Sequence, residues 1–231
     1  MLPWIIVDRA PTPDGAELVL ARRGDEWVIK AGRELLMSSR VHHSEEALAT
    51  MALERAPHCR ALLIGGLGLG FTLRAALDRL PPRARVVVAE LSPQLVAWNR
   101  GPLAHLAGRP LEDPRVSVAV GDVYARITAA PAAWDVILLD VDNGPRALCL
   151  PGNDRLYGDR GLAACRAALR PGGVLGVWSA GPADTPWRDR LERAGFLAEL
   201  KHVTARPGGG SRHAHFFGRL AGGAGRPPGH Q

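Results

Sequence analysis

Ala61-Leu62-Leu63-Ile64-Gly65-Gly66-Leu67-Gly68-Leu69-Gly70-Phe71-Thr72 decides how the rest of the chain is read. The apolar run Ala61–Ile64 has the character of a buried strand, and it enters a cluster of glycines. A helical pattern leaves the cluster, with Leu73, Ala76, Leu77 and Leu80 on one face. Glycines at such a turn let backbone N–H groups approach a ligand that a Cβ would block. The next apolar run, Val86-Val87-Val88-Ala89, ends in Glu90, twenty residues after Gly70. That is the spacing at which a doubly wound fold sets a carboxylate on a ribose hydroxyl. The pair predicts a nucleoside-binding α/β domain.

Downstream, the alternation of strand and helix patterns continues. Ser92-Pro93 opens a helix carrying Leu95, Val96 and Trp98, with serine as cap and proline at the first helical position. Val116–Val120 reads as a strand ending in Gly121-Asp122, and Trp134–Asp140 as a strand buried on both faces. A helix over 160–169 closes at Arg170-Pro171-Gly172-Gly173, before a strand at Val174–Trp178. A helix over 187–194 and strands over 198–203 and 213–218 follow. This order predicts a mostly parallel doubly wound sheet.

Upstream, the pattern differs. Trp4–Val7, Glu17–Ala21, Glu26–Lys30 and Glu34–Ser38 are short runs bounded by Gly, Pro and Asp, the signature of a hairpin or meander. A helix is expected from Ser44, read as its cap, with Glu45 and Glu46 in the first turn and Pro57 as its stop. Three units are therefore expected: a β-module over 1–40, an α/β domain over 41–220, and a disordered Gly/Pro-rich tail over 221–231.

With 231 residues, 46% of them hydrophobic, the chain can bury the core of one such domain. No apolar run reaches the ~20 residues of a membrane span, and the N-terminus has no signal-peptide pattern. Cys59, Cys149 and Cys165 are too widely spaced for a metal site or a disulfide framework, which points to the cytoplasm. The formal charge of +6 is carried almost wholly by scattered arginines, the only lysines being Lys30 and Lys201. No basic stripe interleaved with aromatics appears, which argues against nucleic acid as a partner.

Glu90, Asp122 and Asp140 all fall at strand C-termini, the edge where open α/β sheets bind ligands. One acidic residue there reads as a helix cap or an ion-pair partner, but three beside a glycine turn point to a site. The ordered set Gly65–Gly70, Glu90, Gly121-Asp122, Leu139-Asp140 and Leu169–Gly173 resembles the class I S-adenosylmethionine-dependent transferases, a Rossmann-like fold. The leading β-module, the helix before Leu63-Ile64-Gly65-Gly66 and the segment Tyr157-Gly158 are similar to the spermidine synthase (polyamine aminopropyltransferase) branch. The resemblance covers roughly residues 1–218.

The resemblance implies that Gly65, Gly66, Gly68 and Gly70 receive the methionine part of the cofactor. Glu90 would bind the ribose hydroxyls and Asp122 the adenine amine, with Val123 and Leu91 against the ring. It makes Asp140 the residue that orients and deprotonates an amine acceptor, with some contact to the cofactor, and Asp142 a binder of a second cation. The alternative for Asp142-Asn143-Gly144-Pro145 is a simple turn, and for Trp98 simple helix-to-sheet packing. His42 and His43 read as a polar loop sooner than as bases. His213 and His215 alternate onto one strand face, but no third ligand makes a metal site. Valine at Gly66 or Gly68 is expected to abolish cofactor binding and leave the fold intact.

Two departures from the family pattern bear on the reaction. The aminopropyltransferase motif resembles Gly-Gly-Gly-Asp-Gly-Gly, and here Leu67, Gly68 and Leu69 supply no carboxylate. The family's Tyr-Gln pair falls near Ser44-Glu45 and is absent. The favoured expectation is therefore methyl transfer from S-adenosylmethionine to a small amine. The alternatives are aminopropyl transfer from decarboxylated S-adenosylmethionine to a polyamine, and a non-catalytic scaffold of the same fold. The branch also implies a homodimer formed through the β-module.

Overall fold

The computed structural model describes residues 2–11, 17–32, 34–129, 131–141, 154–180 and 185–222. Asp142, its turn, Cys149 and most of the tail lie outside the described residues.

Two sheets form. The first is an antiparallel meander of β1 (Ile5–Pro11), β2 (Glu17–Arg23), β3 (Glu26–Ala31) and β4 (Glu34–Ser38), in that order. The second has seven strands: β5 (Ala61–Gly65), β6 (Arg85–Glu90), β7 (Val116–Val120), β8 (Trp134–Leu139), β9 (Leu169–Ser179), β10 (Leu197–Arg206) and β11 (Gly209–Arg219). Their order is β10-β11-β9-β8-β5-β6-β7, with β11 antiparallel to both neighbours and the five strands from β9 to β7 paired in parallel. The α/β class and the antiparallel module are as expected. β5 is the pivot, because β6 lies on one side of it and β8 on the other; a crevice opens where the strand order reverses.

The helices are α1 (His43–Arg55), α2 (Phe71–Leu77), α3 (Pro93–Arg100), α4 (Val123–Thr128), α5 (Asp154–Tyr157), α6 (Asp159–Ala168) and α7 (Thr185–Arg193). Among the described residues, none is long and apolar enough to cross a membrane. β5 and β8 are apolar on both faces because each face is covered: Leu62, Ile64, Val136 and Leu138 pack with α1 and α2, while Leu63, Ile137 and Leu139 pack with α6 and α7 residues. The meander docks through Leu18, Leu20 and Ile29 onto Leu69, Phe71, Leu95 and Trp98. The N-terminal sheet thus rests directly on the glycine turn.

Three local expectations are corrected. Ser44 does not cap α1; the helix begins at His43, and the buried Ser44 hydroxyl donates to Glu45 at 2.6 Å. With that carboxylate beside it, the serine has no need of a backbone partner. Arg170–Gly173 does not end before a strand but lies within β9, which pairs Trp134 with Leu169 and then shifts register to pair Val136 with Val174. Gly172 at φ +78° takes up that shift. The helix α4 has no counterpart in the sequence reading.

Candidate functional site

The glycine turn is fixed from both sides. Gly65 pairs with Ala89 on β6 and with Leu139 on β8, so the next residues of those strands, Glu90 and Asp140, flank it. Gly66 Nα donates to Ala89 at 2.9 Å, and Asp140 Nα donates to Gly65 at 2.9 Å. Gly66 has φ +88°, and a Cβ on it would lie 2.2 Å from the Asp140 carbonyl oxygen. A side chain there collides with backbone, so the expectation that valine at Gly66 spares the fold is wrong. Gly65 likewise lies under Val123, whose Cγ2 would be 2.8 Å from a Cβ. Gly68 is different: at φ +53°, the one atom among the described residues that a Cβ would meet is Met37 Sδ of β4 at 3.6 Å, so among them the turn is open at that point. Leu67 and Leu69 are buried, and Asn99 Nδ2 donates to the Gly68 carbonyl at 2.9 Å. The turn is anchored by its buried leucines and half-buried at Gly68. Gly70, at φ +85°, begins α2 and packs beside Pro110 and Asn99.

On the β6 side, Glu90 is 6% exposed and both of its oxygens are engaged. Oε1 accepts from Ser92 Nα and Oε2 from Leu67 Nα, each at 2.8 Å. Burial raises its pKa, and the N–H groups of Ser92, Leu67 and Leu91 oppose that rise. Each oxygen keeps a further lone pair for a ligand hydroxyl. Leu91 is exposed at the strand end. On β7's extension, Asp122 caps α4: Oδ1 accepts from Tyr124 Nα at 2.8 Å, and Oδ2 pairs with Arg155. Val123 is buried. Trp98 is buried in the cluster beneath the meander and its Nε1 donates to Asp8 at 2.7 Å, so it packs and ties the two sheets together.

On the β8 side, Asp140 Oδ2 accepts from the Thr72 hydroxyl at 2.6 Å. Burial raises the Asp140 pKa and that hydroxyl opposes it. Glu45, on the first turn of α1, is pushed up to about 7, by burial first and by the Asp140 charge second. Thr72 and Glu45 are absent from the sequence-derived site. Glu45 falls where the family's Tyr-Gln pair would stand, and Thr72 closes the glycine stretch. Thr72 reaches Asp140 because β8 pairs with β5, which leads into α2, and Glu45 because α1 packs on α2 and β8. His42 stacks on Phe71 at 3.9 Å and faces Glu46 through Nδ1 at 2.9 Å. His213 stacks on Trp178 at 4.8 Å. No group of three or more His, Cys, Asp or Glu able to hold a metal exists among the described residues.

The residues suit an adenosyl sulfonium. A buried carboxylate with spare lone pairs stands on one side of the glycine turn, and a second carboxylate, without a positive partner among the described residues, stands on the other. Comparison with known proteins agrees. The family model for the spermine/spermidine synthase domain matches residues 41–187. The polyamine aminopropyltransferase of Mycobacterium tuberculosis is 28% identical over 197 residues, which cover 81% of this chain and 36% of that protein. Putrescine N-methyltransferase 4 of Nicotiana tabacum is 32% identical over 152 residues, 62% of this chain and 38% of that one. The chain thus spans little more than a third of these relatives. The crystal structure of spermidine synthase from Thermotoga maritima superposes with TM-score 0.76 at 18% identity, covering 93% of this chain and 72% of that one, a likeness of fold.

Proposed function

The chain belongs to the spermine/spermidine synthase family, and from that premise we propose that it transfers a methyl group from S-adenosylmethionine to a small amine. The observation that carries the reading is the pair of carboxylates, Glu90 and Asp140, on either side of Gly66 at the ends of β6 and β8. Glu90 accepts the ribose hydroxyls, and the backbone of the open turn at Gly68 lies along the methionine part. Asp122 accepts from the adenine amine, with Val123 and Leu91 beside the ring. When bound, the cofactor supplies an electrophilic carbon on positively charged sulfur. Asp140 orients the amine toward that carbon, since only a nitrogen with a free lone pair can attack. Asp142, two residues on, is assigned a second cationic group of the acceptor.

Methyl transfer is favoured because Leu67, Gly68 and Leu69 place no carboxylate in the turn to hold the amine end of a decarboxylated cofactor. The second reading is aminopropyl transfer, which the mycobacterial relative's name supports. Calorimetry with each cofactor distinguishes them: tighter binding of S-adenosylmethionine favours methyl transfer, and tighter binding of its decarboxylated form favours aminopropyl transfer. Binding of neither leaves a scaffold of the same fold. With putrescine as the first acceptor tried, Asp140→Asn is expected to lower kcat on the order of a hundredfold with cofactor affinity unchanged. Full activity in that variant removes Asp140 from the chemistry.

A further inference from the structure

The acceptor side of the crevice holds more unpartnered polar groups than Asp140 alone explains. β8 and β9 pair Leu139 with Val177, so Asp140 stands level with Trp178, and β11 pairs His215 with Trp178. Asp140, Trp178 and His215 therefore form a row across three strands, on the sheet face that α1 covers. His215 is completely buried, and among the described residues neither of its ring nitrogens has a hydrogen-bond partner. The buried Nε1 of Trp178 also has none. Burial holds His215 down at about 3, with His213 and His43 adding repulsion, so the ring is neutral. A buried imidazole and a buried indole N–H without partners each carry an uncompensated desolvation cost.

Above the row lies the first turn of α1. Glu45 Oε2 accepts from Ser44 Oγ at 2.6 Å, while the Glu45 carbonyl lies 3.4 Å from the same Thr72 hydroxyl that donates to Asp140. The charged groups acting on Glu45 among the described residues are Asp140 and Glu46, both negative. Among the described residues, Asp140 has the Thr72 hydroxyl as its hydrogen-bond donor and the Glu45 carboxyl as a charged neighbour. Two carboxylates brought together without a cation call for one from outside.

We propose that Glu45 is a second acceptor-site carboxylate, which with Asp140 holds the ammonium group of the acceptor and takes its proton. This rests on the amine-transferase reading above. The balance is simple. The ammonium gives a proton to the Glu45 carboxylate and becomes a neutral amine. Its lone pair forms the N–C bond to the sulfonium-bound carbon while the C–S bond breaks and its electrons go to sulfur, leaving a neutral thioether. The nitrogen leaves as a substituted ammonium, and Glu45 returns its proton to solvent. Asp140 keeps its hydrogen bond from Thr72 and fixes the direction of approach. A carboxyl titrating near 7 shares a proton with the amine far better than one near 4, because the two affinities lie closer together.

The test uses the full chain saturated with S-adenosylhomocysteine or methylthioadenosine, whichever the wild type binds, and putrescine as the probe. Glu45→Gln is expected to leave nucleoside affinity unchanged and to weaken putrescine binding tenfold or more by calorimetry. In turnover, kcat/KM of the wild type rises as pH passes upward through about 7, as Glu45 ionises, and that acid limb is lost in Glu45→Gln. Ser44→Ala removes the hydroxyl that favours the ionised form, so the limb moves to higher pH. Wild-type putrescine affinity and an unmoved limb in Glu45→Gln overturn the inference and leave the transferase reading standing. A wild type that binds neither nucleoside overturns both. Should Glu45→Gln fail to fold, the direction of the shift in Ser44→Ala decides, and an unmoved limb overturns the proposal.

Discussion

The two halves of the crevice are built in opposite ways. On the β6–β7 half, the carboxylate oxygens are engaged by the protein itself: Glu90 by Leu67 and Ser92, Asp122 by Tyr124 and Arg155. On the β8–β9–β11 half, Asp140 has one hydroxyl, Glu45 has another, and the nitrogens of Trp178 and His215 have nothing among the described residues. The first half is finished by folding, so it presents a fixed surface to a ligand common to a whole family of reactions. The second is left open, and its satisfaction depends on what binds. A protein tolerates such a cost where function requires it, and stability is then surrendered locally.

The sharpest way to break this comparison is at the hinge between the halves. Gly66→Val puts a Cβ 2.2 Å from the Asp140 carbonyl, in a backbone region that a β-branched residue rarely enters. Loss of several kcal/mol is expected, enough to unfold the chain or shift the turn as a whole. Circular dichroism and thermal melting check it; a folded variant of wild-type stability would show that the turn yields freely and that neither half is fixed. Gly68→Ala, which among the described residues meets only Met37, should fold with a penalty near 1 kcal/mol.

Next in size is Glu90→Ala. On the proposed reading its loss removes the acceptor for two ribose hydroxyls and is expected to weaken cofactor binding by about 1.5–3 kcal/mol. It also strands the backbone N–H groups of Leu67 and Ser92, so stability should fall by about 1–3 kcal/mol in the absence of any ligand. Asp140→Asn, by contrast, should cost little stability, because Thr72 can still donate to the amide oxygen. That asymmetry measures how far one half is scaffold and the other is reserved for substrate. Equal stability losses in the two variants would erase it.

The same division runs through what the sequence makes legible. Glu90 is found by counting from Gly70, because a strand, a turn and a helix of ordinary length fix that distance along the chain. The α/β alternation and the antiparallel meander are readable for the same reason: each rests on local periodicity. Glu45 and Thr72 are not readable: Thr72 and Asp140 are 68 residues apart and meet because β8 pairs with β5, which leads into α2, while Glu45 joins them through the packing of α1 on α2. Ser44 misleads because the chemistry of an N-cap is also that of a side-chain donor, and the nearer acceptor was Glu45. Arg170–Gly173 misleads in the opposite way: Pro-Gly-Gly has turn chemistry, yet pairing with β8 draws it into a strand with a shift of register. The six-residue α4 carries too short a period to detect, although Asp122 at its head is a good cap.

Asp122 gives the smallest effect and the finest test, because it has two plausible duties. As a cap it satisfies Tyr124 Nα, and replacement by alanine should cost about 1 kcal/mol of stability. Its pair with Arg155 joins two side chains with appreciable solvent exposure and adds a few tenths at most. Neither number says whether it also accepts from the adenine amine. A change in the ligand does. Replacing the adenine of S-adenosylhomocysteine by hypoxanthine removes the exocyclic donor and leaves the ribose and thioether as they were. The wild type should then prefer adenine by about 1 kcal/mol, the worth of one such hydrogen bond, and Asp122→Ala should lose most of that preference. The difference of differences isolates the contact from the cap, since the lost cap weakens both ligands alike. If the preference survives in Asp122→Ala, the residue is only a cap. The β7 end of the crevice is then scaffold alone, and base recognition lies elsewhere along Leu91 and Val123.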